Sequence, residues 1–394
     1  MRAVAALLLG VALGASACGA SKPSPSAADV APRGTEAFVS LVTTPEAAST
    51  RRALALLPGG AQAQALLDNV GWAGIAQHAD VAILGAQGSV AFALPSDRGA
   101  FEKRLDGAGL LHARIRGWTA FTFNSQALET AKRAKERLAD APWYAPAARA
   151  ATGAERAVLT HDGARWTAIV AEEGRARRIV AGGGVDSPQR LASRIPGNAV
   201  VAAAAHDFGA ELGALPYAPL VERGFGLRLD DVASATPGNA VLYVGAGVPI
   251  PTLTLVAEGG TFRAAARVVR ELDPLAQPAT PVTIGGVRLN DVTFGAVDLY
   301  YGRDGSDLVL TNDSAFDPRP PQTLEPPGLP ASTSAWLYVD AERAPVALQS
   351  LAALAGTAFS PRLLRELNGL RSVLVFVTHT RRTTTTTVSV QPRT

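Results

Sequence analysis

The chain carries one cysteine, Cys18, so no disulfide within it can staple whatever it folds into. Its stability must come from buried apolar surface. At 394 residues it is long enough for two domains, or two halves of one large one, at roughly 100–200 residues per domain. A chain of that length buries about three quarters of its unfolded surface and needs no metal to fold. Apolar residues make up 47% of it, which excludes a disordered polymer. Basic and acidic residues number 37 and 34. That balance lacks the concentrated basic face of a nucleic-acid binder, so no nucleic-acid partner is expected.

The position of Cys18 says more than its number. Met1-Arg2 is a short positive start, Ala3 to Leu13 is nearly all Ala, Val and Leu, and Ala15-Ser16-Ala17 are small. These are the three regions of an export signal peptide over residues 1–17. The apolar run falls short of the ~20 residues that a membrane-spanning helix needs. With Cys18 directly after Gly14-Ala15-Ser16-Ala17, the segment resembles a bacterial lipoprotein lipobox, with Ala15 where Leu is usual. The resemblance implies that Cys18 is a lipid attachment point. Its thiol would take a diacylglycerol and become the first residue of the mature chain. Signal cleavage without acylation is the alternative. Ala20 to Arg33 is small, polar and Pro-containing, so residues 18–33 are expected to form a flexible tether. At ~3 Å per residue it would hold the body on the order of 40 Å from the bilayer.

Globular patterning starts near Gly34. Short apolar runs read as strands, among them Ala37 to Leu41, Asp80 to Leu84, Ser89 to Leu94, His112 to Arg116 and Trp118 to Phe123. Helical spacing covers Pro45 to Leu67, Asp97 to Leu105 after a Ser96 cap, and a stretch from Asn124 or Ser125 to Leu138. The second half repeats this grammar. Strands are expected at Ala199 to Ala205, Ala240 to Val244, Thr252 to Ala257, four runs between Val282 and Thr311, Ala335 to Asp340, Ser372 to His379 and Thr383 to Val390. Helices are expected up to Glu222, over Phe262 to Leu272 and over Pro345 to Leu367. A Pro or Gly plus a small polar residue precedes a strand four times, as at Gly34-Thr35, Pro196-Gly197-Asn198, Pro237-Gly238-Asn239 and Pro330-Ala331-Ser332. Short Asp-Gly hairpins imply antiparallel pairing. The expectation is an α+β fold of mostly antiparallel sheets with helices packed on one face, in two related halves, 34–185 and 186–394. Residues 317–330 are Pro-rich and expected as a surface connection.

This layout resembles a family of exported bacterial proteins that repeat a strand, a helix begun by a polar cap, and a pair of strands. The matching runs are Gly34 to Leu41, Val90 to Leu105, Ile195 to Ala205, Leu229 to Val244 and Leu329 to Asp340. The family has no established activity, so the resemblance implies fold and location only.

Searches for chemistry find little. The five histidines, His78, His112, His161, His206 and His379, show no metal-site spacing. His161-Asp162 and His206-Asp207 are adjacent pairs, open to an acid–base role or to turn and cap roles. His379 is expected to be exposed. Gly182-Gly183-Gly184 and Gly245-Ala246-Gly247 are Gly-rich, but Pro249-Ile250-Pro251 follows the second where a phosphate-binding helix would have to begin. The Asp304-Gly305-Ser306-Asp307 oxygens suit a turn or calcium. Lys132, Arg133, Lys135 and Arg137 suit a solvated helix face or anionic lipid. Trp143-Tyr144, between Pro142 and Pro146, suits a core plug or a contact patch. No catalytic residue, metal or cofactor is assigned. The expected protein is a non-catalytic envelope lipoprotein on the extracytoplasmic face of the cell membrane, binding or scaffolding a hydrophobic ligand or an envelope protein. The alternative is an envelope hydrolase with a site assembled from distant residues.

Overall fold

The computed structural model describes residues 26–42, 78–151, 156–163, 165–172, 175–184, 186, 190–206, 236–247, 250–263, 266, 279–294, 297–354 and 369–393. Cys18 and the expected export signal lie outside these residues, as do the expected helices over 45–67 and 207–222 and most of that over 262–272. The chain divides into two compact units between Gly184 and Val185. Thr380–Thr386 belongs with the first unit and Thr387–Thr394 with the second.

The first unit holds β1 (Ala37–Val42), β2 (His78–Ile83), β3 (Ser89–Leu94), β4 (Leu111–Ile115), β5 (Trp118–Thr122), β6 (Arg156–His161), β7 (Trp166–Glu172) and β8 (Arg175–Ala181). All the pairings are antiparallel, in the order β4-β5-β3-β2-β1-β6-β7-β8. The second unit holds β9 (Val201–Ala205), β10 (Ala240–Gly245), β11 (Thr252–Ala257), β12 (Thr280–Ile284), β13 (Val287–Phe294), β14 (Val297–Asp304), β15 (Asp307–Thr311), β16 (Ala335–Asp340) and β17 (Leu370–His379). Their order is β12-β13-β14-β15-β11-β10-β9-β16-β17, again antiparallel. The last strand, β18 (Thr383–Pro392), follows β17 through a turn closed by Thr380 N–H donating to Thr383 O at 2.8 Å. Outward from β1 the order 4-5-3-2-1-6-7 recurs around β9 as 14-15-11-10-9-16-17, with β12 and β13 added at the edge.

The expected α+β balance is corrected. Among the described residues eighteen antiparallel strands dominate, with only four short α-helices. These are α1 (Arg98–Gly107), α2 (Ser125–Arg133), α3 (Tyr144–Ala150) and α4 (Ala344–Leu354). At 1.5 Å per residue they are about 10–17 Å long, too short for a continuous helical layer. The run read as one helix to Leu138 stops at Arg133, because Ala134 turns extended, with ψ 117. No helix among the described residues is long and apolar enough to cross a membrane.

Alternation of small, β-branched and aromatic side chains builds the first unit's strands, and both faces of its sheet are covered. Phe38, Ala82, Val90, Phe92 and Ala120 face a core closed by α2 and α3. Val39, Val81, Ala91 and Phe121 face a second core closed by Phe101 and Leu105 of α1. Phe101 meets Phe121 edge-on, with centroids 5.7 Å apart. Asp97 caps α1 by accepting from Ala100 N–H, and Asn124 caps α2 by accepting from Gln126 and Ala127 N–H. The β4–β5 turn places Arg116 at φ 48 and Gly117 at φ 93, the two positive values a tight hairpin of this type requires. Edge strand β4 is guarded by charge. Arg114 grips Glu102 with two 2.9 Å bonds and holds its carboxyl below the usual range.

Candidate functional site

The first site to emerge is where the chain enters its body. Residues 26–33, expected as tether, are docked instead. Ala27, Ala28, Val30 and Ala31 are buried in the first unit's core. Leu138 N–H donates to Ala31 O at 2.9 Å, and Arg33 N–H to Glu136 O at 3.2 Å. Arg137 donates from one guanidinium nitrogen to Val30 O at 2.8 Å and to Ala131 O at 3.2 Å. It thereby ties the strap to the C-terminal end of α2. Burial holds the Arg137 guanidinium below its ordinary value. The second unit opens in the same way. Leu324 N–H donates to Ile195 O and Gly197 N–H to Gln322 O, each at 2.9 Å. Pro32 bridges Arg137, and Pro196 bridges Thr323. The strap is therefore the opening element of a unit. Its Ala-rich, Pro-containing composition reads as linker only because its buried side chains are so small. By the same bonds the Pro-rich stretch 317–330 is docked on its own unit, with Leu324 and Leu329 against the core.

Asp80 marks the difference between the two openings. It lies on β2, opposite Ser40 of β1 and Phe92 of β3. It is fully buried, and its Oδ2 accepts Ala27 N–H at 2.6 Å. The matching position in the second unit is Val241, opposite Ala204. A buried carboxylate is costly unless hydrogen-bonded, so its placement under the strap is a specific lock. Ser26 Oγ accepts Ala28 N–H at 3.3 Å and meets the Tyr144 hydroxyl at 3.1 Å. Burial pushes the Tyr144 hydroxyl's pKa up; the Ser26 bond opposes this and the Asp80 charge adds to it. Tyr144 stands edge-on to Phe38 at 5.8 Å and to Trp143 at 6.0 Å. Trp143 stacks on His161 with centroids 4.6 Å apart. Asp80→Val, which takes the residue of the matching position, is expected to loosen the strap by about 2 kcal/mol, within the roughly 1–3 kcal/mol that a buried donor left without its acceptor costs. Limited proteolysis between Ala27 and Arg33 reads this out. Unchanged cleavage would mean that burial of the alanines alone holds the segment.

The histidines are dispersed among separate partners. His112 Nε2 meets Asp106 at 2.9 Å on the surface. His161 Nδ1 accepts Gly163 N–H at 3.2 Å, and His78 opens β2. His379, expected to be exposed, is mostly buried against Asp186. Asp186 accepts its backbone N–H at 3.0 Å and lies 3.0 Å from its Nδ1. His206 Nδ1 sits 2.7 Å from Asn239 Oδ1, and Asn239 Nδ2 donates to Glu258 at 2.7 Å. Because the Asn239 oxygen can only accept, Nδ1 donates to it and Nε2 is left as the ring's acceptor. Among the described residues no hydroxyl is hydrogen-bonded to that nitrogen, and Asp207 lies outside them. No group of three or more His, Cys, Asp or Glu gathers as a metal requires among the described residues.

Other polar groups are committed to the fold. Asp304 and Asp307 both accept from Arg194. Of the basic run, Lys132 and Arg133 pair with Glu129 while Arg137 turns inward. Gly183 lies so close to Thr380 O that a Cβ there would sit 2.4 Å away. In the second unit Tyr243, Thr254 and Thr311 lie opposite one another across β10, β11 and β15. The two threonine hydroxyls are 2.7 Å apart, and burial pushes the Tyr243 hydroxyl's pKa up to about 12. Sequence reading missed Asp80 and the strap. The available signal was an acid in phase with buried Ala82 on a mostly apolar strand. Comparison with protein-family models, with curated proteins and with solved structures finds no match.

Proposed function

We propose that the protein is an exported lipoprotein, anchored to the membrane through Cys18, whose β-rich body is a binding or scaffolding module and not a catalyst. The observation that carries this reading is the position of Cys18, after an apolar run and small residues and just ahead of the body. Two acyl chains on its thiol would give stable membrane residence. Several polar groups support the second part of the reading, since Asp80, Asp186, Asp304 and Asp307 are hydrogen-bonded to the strap, to a strand or to a turn.

A binding role is further supported by the second unit's other sheet face. Val375, Leu337, Ala203, Leu242, Leu255 and Leu310 lie opposite one another across β17, β16, β9, β10, β11 and β15. Each keeps part of its surface exposed, and Leu337 is 37% exposed. An apolar row of this kind suits a hydrophobic ligand or an envelope protein. Mass spectrometry of the N-terminal peptide from membrane-extracted protein tests the anchor. A mature chain beginning at Cys18 with a diacylglyceryl group is expected. A free Cys18 thiol or a start elsewhere would defeat it.

A further inference from the structure

We propose that Trp143, Tyr144 and the exposed side of α3 form the surface that lies on the membrane, with the phospholipid headgroup layer as its occupant. The inference rests on the Cys18 anchor. Its new element is the docked strap. Only eight Cα–Cα steps separate Cys18 from Ser26, which is held in the strap. Each step spans at most about 3.6 Å, so Ser26 lies within about 29 Å of the acylated residue. A tether running to Arg33 would have left the body free to present any face. The strap instead keeps Ser26, and the Tyr144 hydroxyl that it contacts, within that reach of the anchor.

The chemistry there suits a headgroup layer. Ser26 Oγ and the Tyr144 hydroxyl are 3.1 Å apart. Trp143 and Tyr144 are half-buried, and Pro142, Ala145 and Arg149 beside them are exposed. Trp143 is fixed by its stack on His161 and its edge contact with Tyr144. Trp and Tyr partition to the membrane–water boundary because each joins an apolar ring to a polar edge. Arg149 adds a cation for lipid phosphate. The anchor makes the contact intramolecular, at an effective concentration of order mM, so weak affinity suffices.

The test uses the full acylated protein in vesicles of phosphatidylcholine and phosphatidylglycerol, some with brominated acyl chains that quench indole emission. Flotation reports the anchor; quenching reports the surface. The protein is expected to float and to lose part of its tryptophan emission, and Trp143→Phe is expected to remove most of that loss. A second readout guards against misfolding of that variant. Ala145→Cys places an exposed thiol on α3 while Cys18 is blocked by lipid. An environment-sensitive dye on it is expected to shift to the blue and brighten severalfold on vesicles. Flotation without Trp143-dependent quenching and without a dye shift would overturn the surface alone. Failure to float, with unacylated Cys18, would overturn the anchor and this surface with it.

Discussion

Cys18→Ser is expected to take the membrane-bound fraction from nearly all of the protein to background, by release into the surrounding compartment or by arrest of an unprocessed precursor. The effect is all-or-none because one sulfur carries the whole attachment. Each buried methylene contributes ~0.8 kcal/mol, and stable residence takes two acyl chains, so a surface contact of a few side chains is no substitute. The body itself should be indifferent. In this reading Cys18 serves only as the attachment point, so the melting of the released protein should match that of the native one. Fractionation with gel mobility measures the first effect, and circular dichroism the second. Unchanged retention and mobility would remove the basis for the lipoprotein reading.

Arg194→Leu is expected to destabilise the second unit by about 3 kcal/mol, the lower end of what breaking a buried ion pair costs. Arg194 closes a 3-10 turn (Arg190–Arg194) and donates one nitrogen to Asp304 and another to Asp307 at 2.8 Å. The two aspartates flank the β14–β15 turn at Gly305. The side chains of Arg194, Asp304 and Asp307 are 20%, 23% and 13% exposed, so solvent reaches them only partly. Removing the guanidinium leaves two like charges together with no counter-ion. In a unit of this size the melting midpoint should fall by about 6–12 °C, at roughly 2–4 °C per kcal/mol. Adding Asp304→Asn and Asp307→Asn to the variant should recover much of the loss, because the penalty comes from the orphaned charges. A fall of only a degree or two would place the triad among solvated surface pairs.

Local patterning made most strands legible. β3 (Ser89–Leu94) is a short apolar run buried along most of its length, and the β17–β18 hairpin shows itself in two runs around Thr380–Arg382. β8 escaped because Arg175, Arg177 and Arg178 interrupt its pattern, although Ala176 and Ile179 are buried. α3 escaped because Pro142 and Pro146 read as loop boundaries. Pro146 in fact sits in the helix's first turn, where no backbone donor is lost. The helical balance was misjudged for a related reason. Helical spacing at Asn124 to Leu138 does not reveal that Ala134 will leave the helix so that Glu136 and Leu138 can bond the strap.

Residue chemistry along the chain was enough to place the hairpins, because each depends on neighbours a few positions away. Asp80 reaching Ala27 across 53 positions, Arg194 reaching Asp304 across 110 and Asp186 reaching His379 across 193 are contacts of another kind. No local pattern encodes them, since they exist only once sheets bring distant segments together. The docking of residues 26–33 belongs to that class as well. Composition allowed a spacer to Arg33; burial of four small apolar side chains and a bond to one carboxylate dock that stretch on the first unit instead.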